Sequence, residues 1–537
     1  MGLGFAGNER LMTIVSRLGC LAAVTVGLTV CASTSTQTPA PAAQAPKPTL
    51  LIFISIDQMR ADYFDHFKSQ LTGGLARLFN GGAFFTNAHQ DHAITETAPG
   101  HASLMSGRFP RSTGITRNLA GVNDPQWTLI DARDLGAAPF RFRGTTVTDW
   151  LTTADPATRA FSVSAKDRAA ILPIGRAKQQ VYWFANPGVF TTSIWYRDTL
   201  PTWVVAFNAK RIPQSYANRT WDLLLDAKSY PEVDSVPIES FGRNFTFPHR
   251  FPADSARAAA QMRFTPMMDE LTLRFALEGF RRLDLGRGPT TDVLAVSLSA
   301  TDYVGHFYGP DSRELHDQIV RLDRVLGAFL DTVFAVRNPR RVVVALSADH
   351  GVQPTPELHH ALRVNPNLVL QSARQAVTAA GGDSTAIDFE SGALFVDPTK
   401  LGTKGLTVDA VIDAFVRGAK SVPGVLRADR FTDLQHTDPA KDEIARRWVQ
   451  MFPDDMLPAA TITLALGNMY DYPVIATHGS PHPGDSNVPI VFYGPWFKPG
   501  RYAGFVRTVD IAPTLAKVLR VTPTEKLDGH PLLEAIR

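Results

Sequence analysis

Cysteine is almost absent from the 537 residues: Cys20 and Cys31 are the two, and both stand in the first 31 positions. Beyond them nothing can form a disulfide or act as a thiolate, so any metal held there takes His and carboxylate ligands. Also missing are a long run of one charge, an internal repeat and an apolar stretch of membrane-spanning length. Lys and Arg number 54 against 51 Asp and Glu, which leaves no compositional footprint for nucleic acid. Hydrophobic residues at 44% and charged residues at 20% exclude a disordered chain, a collagen-like repeat and a coiled coil. The length suits two or three compact units, or one large α/β enzyme domain with insertions.

The N-terminus has the pattern of an export signal. Arg10 and Arg17 precede the apolar run Leu18 to Val30, and Val30-Cys31-Ala32 suits cleavage after Ala32, so residues 1–32 read as a signal peptide. The apolar run is shorter than the ~20 residues of a membrane helix. A lipid anchor at Cys31 is the alternative, but Val30 stands where Gly, Ala or Ser usually precedes a lipidated cysteine. Export to the periplasm or medium without an anchor is the expectation. Residues 33–48, STSTQTPAPAAQAPKP, hold too few large apolar side chains to pack and read as a linker.

From residue 49 apolar runs and helical periodicities alternate. Thr49 to Ile56 (TLLIFISI) runs into Asp57, Val293 to Ala300 (VLAVSLSA) leads to Asp302, and Arg341 to Ala348 (RVVVALSA) leads to Asp349. Unbroken apolar runs of this length are strands covered on both faces, as in a largely parallel sheet. Between them Thr265-Pro266 starts a helix with Leu273, Ala276, Leu277 and Phe280 on one stripe. Ser312 starts another, with Leu315, Ile319, Leu322, Leu326 and Phe329 at helical spacing. A strand at Val488 to Tyr493 and a helix at Ile511 to Leu519 close the chain. The fold class is α/β, with a doubly wound, mostly parallel central sheet and helices on both faces. Residues 119–260 and 355–475 interrupt the alternation. Loops of that size need structure of their own, so both are expected to be insertions folded over the carboxyl edge of the sheet. Ligands of open α/β sheets bind at that edge, which places the three aspartates in one cleft.

Asp302 and His306, in TDYVGHFYG, are four apart and share one face of a helical turn, where both can grip one ion. Asp349 and His350 in SADHG, Asp57 in SIDQMR and His478 in THGS add further carboxylates and imidazoles. Each alone has a plainer role, since a strand-end Asp is more often a cap or turn residue. Together, at one edge and with no thiol, they indicate a metal centre. In ITETAPGHASLMSG, Thr97 precedes Ala98-Pro99-Gly100 and a helix-like run through Leu104. Its hydroxyl therefore lies at a helix amino end, where backbone N–H groups and the dipole favour an anion. Its plain role is an N-cap. A Thr oxygen on a divalent ion at such a place is also a usable nucleophile. His92 and His101 beside it are assigned to packing or to a place behind the ligands, supporting them.

In this combination the residues resemble the alkaline phosphatase superfamily, and within it the threonine-nucleophile bacterial alkaline phosphatases of the Sphingomonas and phosphate-irrepressible types. The likeness covers 49–537, which it makes one catalytic domain, and includes FTTSIWYRDTLPTWVVAFN in the first interruption. It implies two zinc ions per chain, one on Asp302, His306 and His478, the other on Asp57, Asp349, His350 and the Thr97 oxygen. It also implies that Asn118 in RSTGITRN contacts a phosphate oxygen. By the same likeness Lys166 and Arg168 in SAKDR hold the transferred group, although the residues alone read as a solvated charged turn. His482 is a minor alternative to His478, and Asn487 stands where the family often has His.

The activity so implied is that of an exported phosphatase cleaving small phosphate monoesters through a phosphothreonine, with no nucleic-acid partner and no transmembrane helix in the mature chain. A nucleotide pyrophosphatase or phosphodiesterase of the same superfamily would carry an apolar pocket in place of the Lys166-Arg168 pair. A sulfatase needs a Cys or Ser nucleophile with Pro and Arg soon after, a pattern that Thr97-Ala98-Pro99-Gly100-His101 does not supply. A non-catalytic binder of phosphate or metal would need no hydroxyl between its ions.

Overall fold

The computed structural model describes residues 46–537; the expected signal peptide, both cysteines and most of the linker lie outside the described residues. At its centre is a ten-stranded sheet, ordered Gly500–Tyr502, Ala83–His89, Asn487–Tyr493, Val342–Ser347, Leu50–Ile56, Asp292–Leu298, Ala160–Ser164, Gln180–Ala185, Val189–Thr191. Val506–Arg507 also pairs with Ala83–His89. The middle strands, from Val342–Ser347 to Ala160–Ser164, pair in parallel. Asn487–Tyr493 runs antiparallel to both its neighbours, as Val189–Thr191 does to Gln180–Ala185, so the sheet is mixed.

Successive strand side chains point to opposite faces. Leu50, Ile52, Ile54 and Ile56 therefore enter one apolar cluster, and Leu51 and Phe53 the other. Helices Gly74–Gly81, Met267–Arg282 and Arg313–Val336 close the first face, and Thr97–Ser106, Val147–Ala154 and Ile511–Leu519 the second. With water excluded from both faces, the strand sequence shows no polar alternation. Helix Arg313–Val336 buries the expected stripe of Leu315, Ile319, Leu322, Leu326 and Phe329. Its N-cap Ser312 accepts the Leu315 N–H at 3.1 Å.

Two expectations are corrected. The strand expected to reach Ala300 stops at Leu298, because the Ala300 N–H donates to Asp269 Oδ1 at 3.0 Å and opens helix Ala300–Tyr308. Asp302 thus sits in a first helical turn, not at a strand end. Nor is 119–260 wholly an insertion: Ala160–Ser164, Gln180–Ala185 and Val189–Thr191 extend the central sheet. These strands (AFSVS, QVYWFA, VFT) are short and mix Ser and Gln with aromatics, so no long apolar run marks them. Beyond them and helices such as Val147–Ala154, the same stretch holds a small pairing of Thr220–Trp221 with His249–Arg250. Residues 355–475 do fold around their own core. Strands Ile387–Glu390, Ala393–Val396, Ala460–Leu464 and Val425–Arg430 form an antiparallel sheet covered by helices Pro366–Ala379 and Val408–Ala419.

Register fixes the position of the site. Ile56 lies opposite Leu298, Ser55 opposite Ser347 and Ser164 opposite Ser297. Asp57, the helix bearing Asp302, Asp349 and Lys166 therefore leave one edge of four adjacent strands. The reversed strand Asn487–Tyr493 begins at that edge, which brings the preceding segment with His478 to the same place. Among the described residues no helix is long and apolar enough to cross a membrane.

Candidate active site

Two groups of ligand-capable atoms meet at this edge. Asp302, His306 and His478 each place one donor atom within 4.8 Å of the others, and so do Asp57, Asp349 and His350. In the first group Asp302 Oδ1 lies 3.2 Å from His306 Nε2 and 3.5 Å from His478 Nε2. The two Nε2 atoms are 3.2 Å apart. Backbone acceptors assign the tautomers: His306 Nδ1 donates to Ala476 O at 2.8 Å and His478 Nδ1 to Thr95 O at 2.7 Å. Both rings thus turn Nε2 toward the other and toward Asp302, the geometry in which two imidazoles and a carboxylate can share one cation.

His350 follows the same rule, donating from Nδ1 to Gly351 O at 2.9 Å and leaving Nε2 inward. Burial pushes its pKa down to about 3 in spite of Asp349, so the ring is neutral and able to ligate at ordinary pH. His350 Nε2 and Asp57 Oδ1 are buried with no hydrogen-bond partner, and they stand 3.4 Å apart, with Asp349 Oδ2 also 3.4 Å from His350 Nε2. An unpaired buried polar group costs about 1–3 kcal/mol, and two that converge beside a second carboxylate are accounted for by a divalent ion that takes nitrogen and oxygen donors. Both groups fit such an ion.

Thr97 is buried at the first position of helix Thr97–Ser106, with Glu96 rather than Thr97 itself as N-cap. The helix lies directly on the Asp349 turn. A Cβ on Gly100 would stand 2.1 Å from Asp349 O, so only glycine permits the approach. Gly100→Ala is expected to lower the urea midpoint by an amount equivalent to about 1–3 kcal/mol. It should also weaken metal binding, because Asp349 must shift. An unchanged midpoint with unchanged metal affinity would remove this close approach from the account.

His101 joins the same two elements, its Nδ1 2.9 Å from Thr97 O and 3.0 Å from Asp349 Oδ2, its Nε2 2.9 Å from Ser297 Oγ. His92 packs against Gln90. His482 donates to Leu464 O at 2.7 Å and takes no place in either group, while Asn487 donates to Ala88 O within the sheet.

Of the three polar residues expected around phosphate, Lys166 approaches Thr97 itself and Asn118 the next residue of its helix, Ala98. Lys166 Nζ lies 3.4 Å from Thr97 Oγ1, 2.6 Å from Asp57 Oδ2 and 2.5 Å from Asp302 Oδ2, so this ammonium spans both groups. Burial works to lower its pKa, yet Asp302 and Asp57 hold it above the usual lysine range. Arg168 keeps a buried Nε without a partner, and its Nη1 is 3.6 Å from Asp167. Asn118 Oδ1 accepts the Ala98 N–H at 2.9 Å, and its own backbone N–H donates to Glu96 Oε2 at 2.7 Å. That leaves its amide nitrogen as the end not engaged by the helix.

Three contributors were not foreseen. Gln58 sits in the left-handed region with φ of 66°, its N–H 3.2 Å from Asp349 Oδ1 and its Nε2 2.9 Å from Asp302 Oδ1. That conformation costs a non-glycine residue about 1 kcal/mol or more, and it lets one side chain brace both groups. Glu96 holds Asn118 on one carboxylate oxygen and accepts from Ser391 Oγ on the other. Ser391 is at the tip of a hairpin of residues 355–475, which thereby touches the N-cap of helix Thr97–Ser106. The only sequence hint to any of them was adjacency, Gln58 to Asp57 and Glu96 to Thr97.

Comparison with known proteins agrees with this geometry. The family described as type I phosphodiesterase / nucleotide pyrophosphatase matches residues 51–399. The chain is 29% identical to alkaline phosphatase PhoK of Sphingomonas sp., over 90% of this chain and 91% of the relative. It is 30% identical to alkaline phosphatase PafA of Elizabethkingia meningoseptica, over 91% of this chain and 95% of the relative. The crystal structure of wild-type PafA superposes with a TM-score of 0.85, covering 92% of this chain and 99% of that one at 29% identity. A solved PafA variant replaces a threonine by serine, and an asparagine, a lysine and an arginine by alanine.

Proposed function

The chain belongs to the type I phosphodiesterase / nucleotide pyrophosphatase family of the alkaline phosphatase superfamily, as an enzyme of the alkaline phosphatase kind, and from that premise we propose a zinc-dependent phosphomonoesterase that works through a phosphothreonine. The observation that carries this reading is the Thr97 hydroxyl at a helix amino terminus, 3.4 Å from a lysine that links two three-residue ligand groups.

Zinc held by Asp302, His306 and His478, and by Asp57, Asp349, His350 and Thr97, would supply positive charge and lower the pKa of the hydroxyl. Thr97 Oγ1 then forms the new bond to phosphorus as the ester P–O bond breaks, and the alcohol departs. Water cleaves the resulting phosphothreonine, releasing inorganic phosphate. Lys166, Arg168 and Asn118 donate to the non-bridging oxygens, where charge-assisted hydrogen bonds gain most as charge develops. A dianionic monoester benefits more from two cations than a diester does, which favours the monoesterase over the phosphodiesterase or pyrophosphatase reading. The nucleophile likewise disfavours a mere binder of phosphate or metal. The Arg10, Arg17 and Leu18 to Val30 pattern supports export to the periplasm or medium.

Metal analysis tests the reading. Two equivalents of zinc per chain are expected, and chelation should abolish ester hydrolysis while zinc restores it. Because the ligands must be deprotonated, acid should release the metal and activity together. Full-rate hydrolysis by metal-free protein would exclude the assignment.

A further inference from the structure

Lys166 is the N-cap of the short helix Asp167–Ile171, and its side chain is buried to its charged end. The ammonium stands where four groups converge. Asp57 Oδ2, Asp302 Oδ2 and Thr97 Oγ1 are three of them. The fourth is the ring of Tyr303, whose centroid lies 5.1 Å from Nζ. Tyr303 follows Asp302 in helix Ala300–Tyr308, is half-buried, and packs edge-on against Phe264 at 5.3 Å with the ring planes 67° apart. Its phenol is also within electrostatic reach of Arg168.

Resting on the phosphomonoesterase reading, we propose that Tyr303 is a positioning residue: its ring face holds the Lys166 ammonium over Thr97, where it meets the transferred phosphoryl group, and so supports the preference for monoesters. The division of the two carboxylates carries the argument. Asp57 turns Oδ1 to His350 at 3.4 Å and Asp302 turns Oδ1 to His306 at 3.2 Å, so each has one oxygen in a ligand group and the other on Lys166. A carboxylate that ligates a divalent ion shares its charge with that ion and holds the ammonium less firmly. The attraction of the ring draws on neither carboxylate. Its quadrupole attracts a cation without carrying net charge, whereas a third carboxylate in its place would repel a phosphate dianion. Lysine needs such a guide because its charge sits on a flexible four-carbon stem. Phe264 in turn restrains the ring.

The test compares Tyr303→Leu and Tyr303→Phe, each also on a Lys166→Ala background, as metal-loaded proteins. Tyr303→Leu should lower both kcat/KM for phenyl phosphate and the equilibrium affinity for inorganic phosphate by about 10-fold, the scale of one cation–π contact in a desolvated site. Tyr303→Phe keeps the ring and should stay close to the wild type. Turnover of the diester methyl phenyl phosphate should fall far less. Once Lys166 is alanine, Tyr303→Leu should add a factor of about 2 at most, the ordinary error of additivity. Phosphate affinity needs no turnover, so it judges the coupling of Tyr303 to Lys166 even where the hydrolytic reading fails. An equal loss with and without Lys166 would overturn the proposal, as would equal losses on the two esters or a Tyr303→Phe variant as weak as Tyr303→Leu. Loss of metal from Tyr303→Leu would do the same, because the ring would then be bracing Asp302.

Discussion

Thr97→Ala is expected to yield a folded, metal-loaded protein whose kcat/KM for phenyl phosphate is lower by about 10⁴-fold or more, because only binding and electrostatic stabilisation remain once the covalent route is gone. The fold should survive because the deleted hydroxyl has a single long contact, the 3.4 Å approach of Lys166 Nζ, and the helix start is held instead by Asn118 through Ala98. Thr97→Ser should retain much of the activity, since it restores the oxygen at the same helix position. Circular dichroism and zinc content serve as controls. An alanine variant within 10-fold of wild type, judged against the loss expected for a nucleophile, would mean that water attacks phosphorus directly.

The second large effect concerns Lys166 and Arg168. Their joint replacement by alanine should lower monoester kcat/KM on the order of 10³-fold, ~4 kcal/mol, given that charge-assisted contacts in a water-poor site contribute a few kcal/mol each. Diester turnover should fall far less, because an alkoxy group takes the place of one acceptor oxygen. Electrostatics provides a control. Lys166 Nζ lies 2.6 Å from Asp57 Oδ2 and 2.5 Å from Asp302 Oδ2, so its removal leaves both carboxylates more negative and zinc affinity should not drop. Equal losses on both ester types, or loss of zinc, would reassign the pair to holding the two ligand groups in place.

The central strands and the site edge were legible because both depend on burial. Leu50–Ile56, Asp292–Leu298 and Val342–Ser347 are covered on both faces and write that into the chain as apolar runs. The residue after or near each run then emerges at the carboxyl edge, which is how Asp57, Asp302 and Asp349 could be grouped without coordinates. The i,i+4 pair Asp302 and His306 was legible for a different reason, helical geometry, and it survives the correction that ends the strand at Leu298. By contrast Ala160–Ser164 joins the sheet through pairing such as Ser162 with Ala295, across more than a hundred residues of chain, and a short strand containing two serines carries no local trace of that partner. Glu96, Gln58 and Ser391 were hidden for the same reason. Their roles consist of hydrogen bonds to distant segments, Glu96 to Ser391 and Gln58 to Asp302 and Asp349, and a polar residue gives no sign in one dimension of which backbone turn it will reach.

The most direct measurement is an acid quench of the metal-loaded wild type during turnover of a ³²P-labelled monoester, followed by peptide mapping. The account predicts acid-stable phosphate on the peptide containing Thr97 and on no other, absent from Thr97→Ala. Label on a different residue, or steady hydrolysis with no labelled protein together with inversion of configuration at phosphorus, would contradict it.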